Sequence, residues 1–244
     1  IRIIRKMKSE IQLAFEKCRK EDRPALISYL VSSDPNKKKS LKILKSISPN
    51  IDLAEIGFPF STPIGDGSDI QTSSYRAIKN GFKMRDIFQL VKEYKKSNFS
   101  KPIILMGYYN MIFNYGENKF LKDCKKAGVS GIICVDLPWP ENKNFAKKCK
   151  KESINFIQLL APTTTKDRMK KIIRDSHDMV YYISMLSTTG GKLKVSPRSI
   201  LENYKKIKRI NSKKNVVIGF GITDKTIKPL KSADGLVCGS LLCK

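Results

Sequence analysis

Two carboxylates eleven positions apart stand in the stretch 55–71, which reads Glu-Ile-Gly-Phe-Pro-Phe-Ser-Thr-Pro-Ile-Gly-Asp-Gly-Ser-Asp-Ile-Gln. Glu55 lies near the end of an apolar run, Ile51-Asp52-Leu53-Ala54-Glu55-Ile56, where a buried charge is costly unless something uses it. Asp66 lies between two glycines on a loop of Gly and Pro. One acid on a rigid strand and one on a flexible loop suit proton transfer to two ends of one substrate. The plainer alternative is a strand-end Glu and a turn Asp, since Gly-Asp-Gly is a common turn.

The elements that must position these acids alternate along the whole chain. Short apolar runs at 25–31, 51–56, 102–106, 131–135, 154–160, 179–184, 216–220 and 235–238 are separated by lysine-rich helical stretches. Most runs are continuous rather than alternating, as parallel strands covered on both faces are. Ser196-Pro197 reads as a helix N-cap with Pro at the first helical position, and Thr164 with Asp167 reads as a capping box. Ile87, Leu90, Val91 and Tyr94 share one helical face. A further helix over 7–20 precedes the first strand and is placed to plug a barrel bottom. These units predict a single (β/α)8 TIM barrel domain over 1–244 with an extra N-terminal helix. The doubly wound sheet is the alternative, disfavoured by the regular spacing and by the lack of an early GxGxxG.

Composition narrows the class. The 244 residues suffice for one such barrel, which typically needs about 250. No run of roughly 18 apolar residues occurs, so no membrane span is expected. Six cysteines without a CxxC pair, and one histidine, give no metal-site spacing and fit a reducing cytoplasm. Cys134 and Cys238 sit inside apolar runs, as small core residues do. The formal charge is +26, from 48 basic against 22 acidic residues. The lysines are spread over almost every predicted helix rather than gathered in one stripe, so a nucleic-acid partner is not expected.

In this architecture the active site lies at the C-terminal ends of the strands. There the second run ends at Glu55 and the fourth at Val135-Asp136-Leu137-Pro138. The sixth ends near Ser184 and runs into Ser187-Thr188-Thr189-Gly190-Gly191, a loop able to close over a ligand. The last two end at Gly219-Phe220-Gly221 and Gly239-Ser240, where glycines would let backbone N–H groups approach a phosphate and a helix from Ser240 would add its positive end. Glycines that merely turn strands into helices are the alternative at each loop.

Together these blocks resemble the tryptophan synthase α subunit family along nearly the whole chain. The matching segments are 28–30 through Asp34-Pro35, 55–71, Met106-Gly107-Tyr108-Tyr109-Asn110, Val135-Asp136-Leu137-Pro138, Ala161-Pro162-Thr163-Thr164, Tyr181-Tyr182-Ile183-Ser184, Gly219-Phe220-Gly221-Ile222, and 233–240. The resemblance implies retro-aldol cleavage of indole-3-glycerol phosphate to indole and glyceraldehyde 3-phosphate in tryptophan biosynthesis. It makes Glu55 the general acid/base that protonates indole C3 and takes the proton of the glycerol hydroxyl. Asp66 would accept a hydrogen bond from the indole N–H and stabilise the positive charge developing there. Tyr181 would position the substrate, and Thr189 would meet Asp66 when the loops close. Gly190, Phe220, Gly221, Gly239 and Ser240 would hold the phosphate. Tyr29, Met106 and Ile133 would line the indole slot, although such residues are more often plain core. Desolvation beside indole should raise the Glu55 pKa, while Asp66 should stay solvated and ionised until closure.

The resemblance further implies no cofactor in this chain, and a β subunit partner that holds pyridoxal phosphate and condenses indole with serine in an α2β2 assembly. Thr62 stands where the family usually has Asp, on a face turned to that partner, and 187–190 lacks a family glycine. Met185 replaces a residue that is often Arg. The family's final helix has no counterpart in the four residues after Ser240, so either the sequence is trimmed there or the protein is less stable and its phosphate loop lacks that helix's dipole. A stand-alone indole-3-glycerol phosphate lyase and a basic binding protein that kept the fold are the competing readings.

Overall fold

In a computed structural model the described residues are 7–184, 196–219, 222 and 224–243. The strands are β1 (Ala25–Val31), β2 (Leu53–Gly57), β3 (Ile103–Gly107), β4 (Gly131–Cys134), β5 (Asn155–Phe156), β6 (Gln158–Leu160), β7 (Met179–Ile183), β8 (Asn215–Gly219) and β9 (Gly235–Cys238). All pairings are parallel, in the order β5-β4-β3-β2-β1-β9-β8-β7-β6. The two ends of that order, β5 and β6, are consecutive in the chain with only Ile157 between them, so the sheet closes on itself as a TIM barrel. The run expected as one strand over 154–160 is thus broken at its middle: β5 pairs with β4, and β6 with β7. β1 and β9 coincide with the predicted runs; β2 starts two residues late and reaches Gly57.

Both faces of the strands are apolar because each faces a different core. Residues pointing inward, among them Ile27, Leu53, Ile104, Ile133, Ile157, Met179, Val217 and Val237, fill the barrel lumen. Their neighbours pointing outward, such as Ile56, Leu105, Ile132, Val180 and Ile218, pack under the surrounding helices. This double burial is why the runs read as continuous rather than alternating.

The N-terminal helix α1 (Glu10–Lys20) starts at Ser9, whose side chain and that of Gln12 cap each other's backbone N–H groups. Its apolar face, Ile11, Phe15 and Cys18, belongs to the lumen cluster and closes the bottom of the barrel. Room for that plug comes from glycines at strand starts: a Cβ on Gly131 would lie 3.2 Å from the Ile11 side chain, and one on Gly235 3.2 Å from Phe15.

Around the barrel run α2 (Lys37–Ile47), α3 (Ser68–Lys79), α4 (Met84–Lys95), α5 (Tyr109–Tyr115), α6 (Glu117–Ala127), α7 (Lys143–Lys151), α8 (Lys166–Asp175), α9 (Pro197–Ile210) and the short α10 (Asp224–Ile227). Ile87, Leu90, Val91 and Tyr94 are the buried face of α4, as their spacing predicts. Ser196 caps α9 by accepting from the Ser199 N–H at 3.2 Å, with Pro197 at the first position. The capping box expected at Thr164 does not form. α8 begins one residue later with Thr165 as its cap, and the Thr164 hydroxyl instead accepts from the Ala161 N–H at 3.0 Å, closing the turn out of β6. After β9, Ser240–Leu242 form a single 3₁₀ turn.

Candidate active site

Glu55 is the centre of the site. It sits two residues before the end of β2 rather than at its end, and strand alternation turns it inward, between the inward Leu53 and Gly57. It is fully buried, and among the described residues neither carboxylate oxygen has a hydrogen-bond partner. A buried polar group without a partner normally destabilises by about 1–3 kcal/mol, so its retention here needs a chemical reason. Burial pushes the Glu55 carboxyl up to about 8, because no group among the described residues stabilises the anion.

Two tyrosines approach this acid from opposite sides of the lumen. Tyr29 on β1 is the register partner of Glu55, and its ring leans toward the mouth over Gly57. A Cβ on Gly57 would lie 2.2 Å from the Tyr29 hydroxyl, so only glycine lets the ring take that place. Tyr181 on β7 does the same over Gly219, where a Cβ would meet its hydroxyl at 1.9 Å. Both phenols are held far above their ordinary pKa, first by burial and then by the acids beside them: Asp66 and Glu55 at Tyr29, Glu55 and Asp66 at Tyr181. Each tyrosine thus lies near both acids at the C-terminal mouth.

Met106 and Ile133 pair with each other across β3 and β4, and Met106 also pairs with Gly57. Together with the Tyr29 ring they form an apolar row one inward layer above Glu55, Ile133 buried and Met106 half-buried. Gly239 adjoins Tyr29, whose Cβ would be 3.2 Å from a Cβ at that position, and half-buried Ser240 follows it. Thr189, Gly190, Phe220 and Gly221 lie outside the described residues.

Asp66 differs from its expected setting. It is half-buried rather than solvated, and burial pushes its carboxyl up to about 6 against the lowering effect of a hydrogen bond from Tyr108. That tyrosine, just after β3, was assigned no role from the sequence although it lies in one of the family blocks. Its hydroxyl accepts from the Gly65 N–H at 2.9 Å and donates to Asp66 Oδ2 at 3.3 Å, while its ring stacks on Phe60. Only the fold brings residues 42 and 43 positions apart into this contact. Asp136, the acid after β4, is occupied structurally, accepting from the Tyr109 N–H at 2.7 Å. Among the described residues no group of three or more His, Cys, Asp or Glu side chains is placed to ligate a metal.

The family model for the tryptophan synthase alpha chain matches residues 15–244. The chain belongs to the tryptophan synthase alpha chain family. A tryptophan synthase alpha chain from Pelagibacter ubique is 68% identical over 236 residues, covering 97% of this chain and 89% of the relative. One from Pyrococcus furiosus is 40% identical over 223 residues, covering 90% and 89%. Among solved structures, one from Aquifex aeolicus superposes with a TM-score of 0.89 at 33% identity, covering 97% of this chain and 90% of that one. The Mycobacterium tuberculosis tryptophan synthase gives 0.87 at 27% identity, covering 97% and 91%. A Pyrococcus furiosus structure, described as the mutually activated tryptophan synthase a2b2 complex, gives 0.82 at 39% identity, covering 90% and 88%. As a member of this family, the protein is a lyase of tryptophan biosynthesis.

Proposed function

We propose that Glu55 and Asp66 carry the retro-aldol reaction in which indole-3-glycerol phosphate is split into indole and glyceraldehyde 3-phosphate. The observation that carries this reading is the fully buried Glu55 carboxyl, without a hydrogen-bond partner among the described residues, beneath an apolar row at the barrel mouth. With its carboxyl held near 8, Glu55 is mostly protonated at neutral pH and can deliver a proton to indole C3. The ring then carries positive charge at its nitrogen. Asp66, ionised above about 6, accepts the indole N–H and stabilises that charge. The Glu55 carboxylate so formed takes the proton of the glycerol hydroxyl, the C–C bond breaks toward the ring, the aldehyde leaves, and Glu55 is protonated again.

Tyr29, Met106 and Ile133 would hold the flat indole, and Tyr181 would fix the substrate between the two acids. Gly239 and Ser240 would bind phosphate together with Gly190, Phe220 and Gly221. The a2b2 assembly of the Pyrococcus furiosus relative supports a β subunit partner for this chain, which would hold pyridoxal phosphate and consume the indole in an α2β2 complex. Six free cysteines fit a reducing, cytoplasmic setting.

The test is indole release from indole-3-glycerol phosphate by the purified chain, alone and with a β subunit. Strong release only with the partner establishes the coupled subunit; comparable release alone establishes a stand-alone lyase. A folded chain that releases no indole in either case overturns the reading.

A further inference from the structure

Tyr108 stands on the rigid side of the mouth. It follows the last residue of β3, precedes the first of α5, and is 5% exposed. Its neighbour Tyr109 is anchored through its N–H to Asp136, and its own carbonyl accepts from the Met111 N–H at 3.2 Å. From this base the side chain crosses to the loop that carries Asp66. The loop has its own internal bonds, Asp66 N–H to the Pro63 carbonyl at 3.0 Å and the Gln71 side chain to the Asp66 carbonyl at 2.8 Å. Those bonds hold the Asp66 backbone and leave its carboxylate direction unspecified.

The Tyr108 hydroxyl supplies that direction. Its oxygen accepts from the Gly65 N–H at 2.9 Å, so its single proton must go elsewhere, and Asp66 Oδ2 is the acceptor at 3.3 Å. Accepting one bond polarises the O–H and makes it a better donor in the next. The ring cannot swing away freely, because it stacks on Phe60 with centroids 4.9 Å apart and planes 27° apart. The bond is longer than the usual 2.5–3.0 Å. It therefore orients the carboxylate without saturating it, and a carboxylate can accept at its second oxygen as well.

We propose that Tyr108 is a positioning residue for the lyase reaction, fixing Asp66 through the Gly65–Tyr108–Asp66 relay so that the carboxylate meets the substrate N–H. This rests on the reading of Asp66 as the group that stabilises the indole cation. The groups facing Asp66 are Tyr29 from β1, Tyr108 after β3 and Tyr181 from β7; among the described residues none is cationic. Among the described residues Tyr108 is thus the one contact that favours the Asp66 anion against burial.

The experiment is the pH profile of kcat/KM for indole release by the chain with its β subunit, for wild type, Tyr108→Phe, and the chain with 3-fluorotyrosine at 108. Tyr108→Phe keeps the ring stacking and removes only the relay. That bond favours the Asp66 anion, so without it the acid limb should rise from about 6 by about one pH unit and the rate at pH 6 fall roughly fivefold. The basic limb, set by Glu55, should stay where it is. Fluorotyrosine, a stronger donor of nearly the same shape, should move the acid limb down, and it keeps the test alive if Tyr108→Phe fails to fold. A lower rate with both limbs unmoved would make Tyr108 merely structural and overturn the proposal. Asp66→Asn is measured alongside. If it turns over like wild type, the role of Asp66 itself fails, which is a distinct outcome from an inactive Asp66→Asn beside an unshifted Tyr108→Phe.

Discussion

Replacing Glu55 by Gln should destroy activity and stabilise the fold, and the stabilisation should depend on pH. In the folded chain the carboxyl is pushed from its ordinary 4.5 up to about 8 by burial. A raised carboxyl pKa means that the folded state resists ionisation. The penalty for ionising it is therefore absent below about 4.5 and grows as pH rises from there to about 8. With 1.36 kcal/mol per unit, the penalty comes to about 1 kcal/mol at pH 5, about 3 at pH 7 and about 4 at pH 8. Gln has the same shape as the neutral acid and cannot ionise, so it removes this penalty at every pH. The gain of Glu55→Gln over wild type should thus grow by about 3 kcal/mol between pH 5 and pH 8, read from urea unfolding at both. At pH 7 the melting temperature should rise by roughly 6–12 °C on the scale of 2–4 °C per kcal/mol for chains of this size. Indole release should fall by about 10²–10⁴-fold, the usual worth of a positioned acid/base. A stability difference that is the same at both pH values would show that Glu55 is not the desolvated acid described here, whatever its activity.

Three further outcomes follow from the same geometry. Asp66→Asn should abolish indole formation while leaving binding of a phosphate ligand, measured by calorimetry, largely intact; wild-type-like turnover would sink the two-carboxylate assignment. The pH profile of kcat/KM should be a bell, since the reaction needs Asp66 ionised and Glu55 protonated, with limbs near about 6 and about 8; a profile still rising at pH 9 would refute Glu55 as the acid. Gly219→Ala puts a methyl where the Tyr181 hydroxyl lies 1.9 Å away, so the buried ring must move; about 1–3 kcal/mol of stability should be lost together with indole release, and an unchanged urea midpoint would show that the site has slack.

The chain's order of elements was legible in its sequence because a parallel barrel buries both faces of each strand. That leaves continuous apolar runs, and β1 and β9 coincide with theirs to the residue. The plug helix and the Ser196-Pro197 cap were equally legible, since amphipathic spacing and capping are local. Glu55 stood out for a related reason: a carboxylate inside an apolar run violates burial rules, and such a violation marks chemistry. Other features depend on partners distant in sequence. The break at Ile157 follows from pairing with two different strands, and Gly57 and Gly219 are needed for rings carried by β1 and β7. The loop setting of Asp66 misled for the same reason. Gly-Asp-Gly reads as solvated, yet the barrel mouth half-buries it and Tyr108 reaches it from another strand end. Composition and period therefore determined the barrel and its odd acid, while the protonation states of the two acids were decided by tertiary burial, because desolvation is a property of the surroundings and not of the residue.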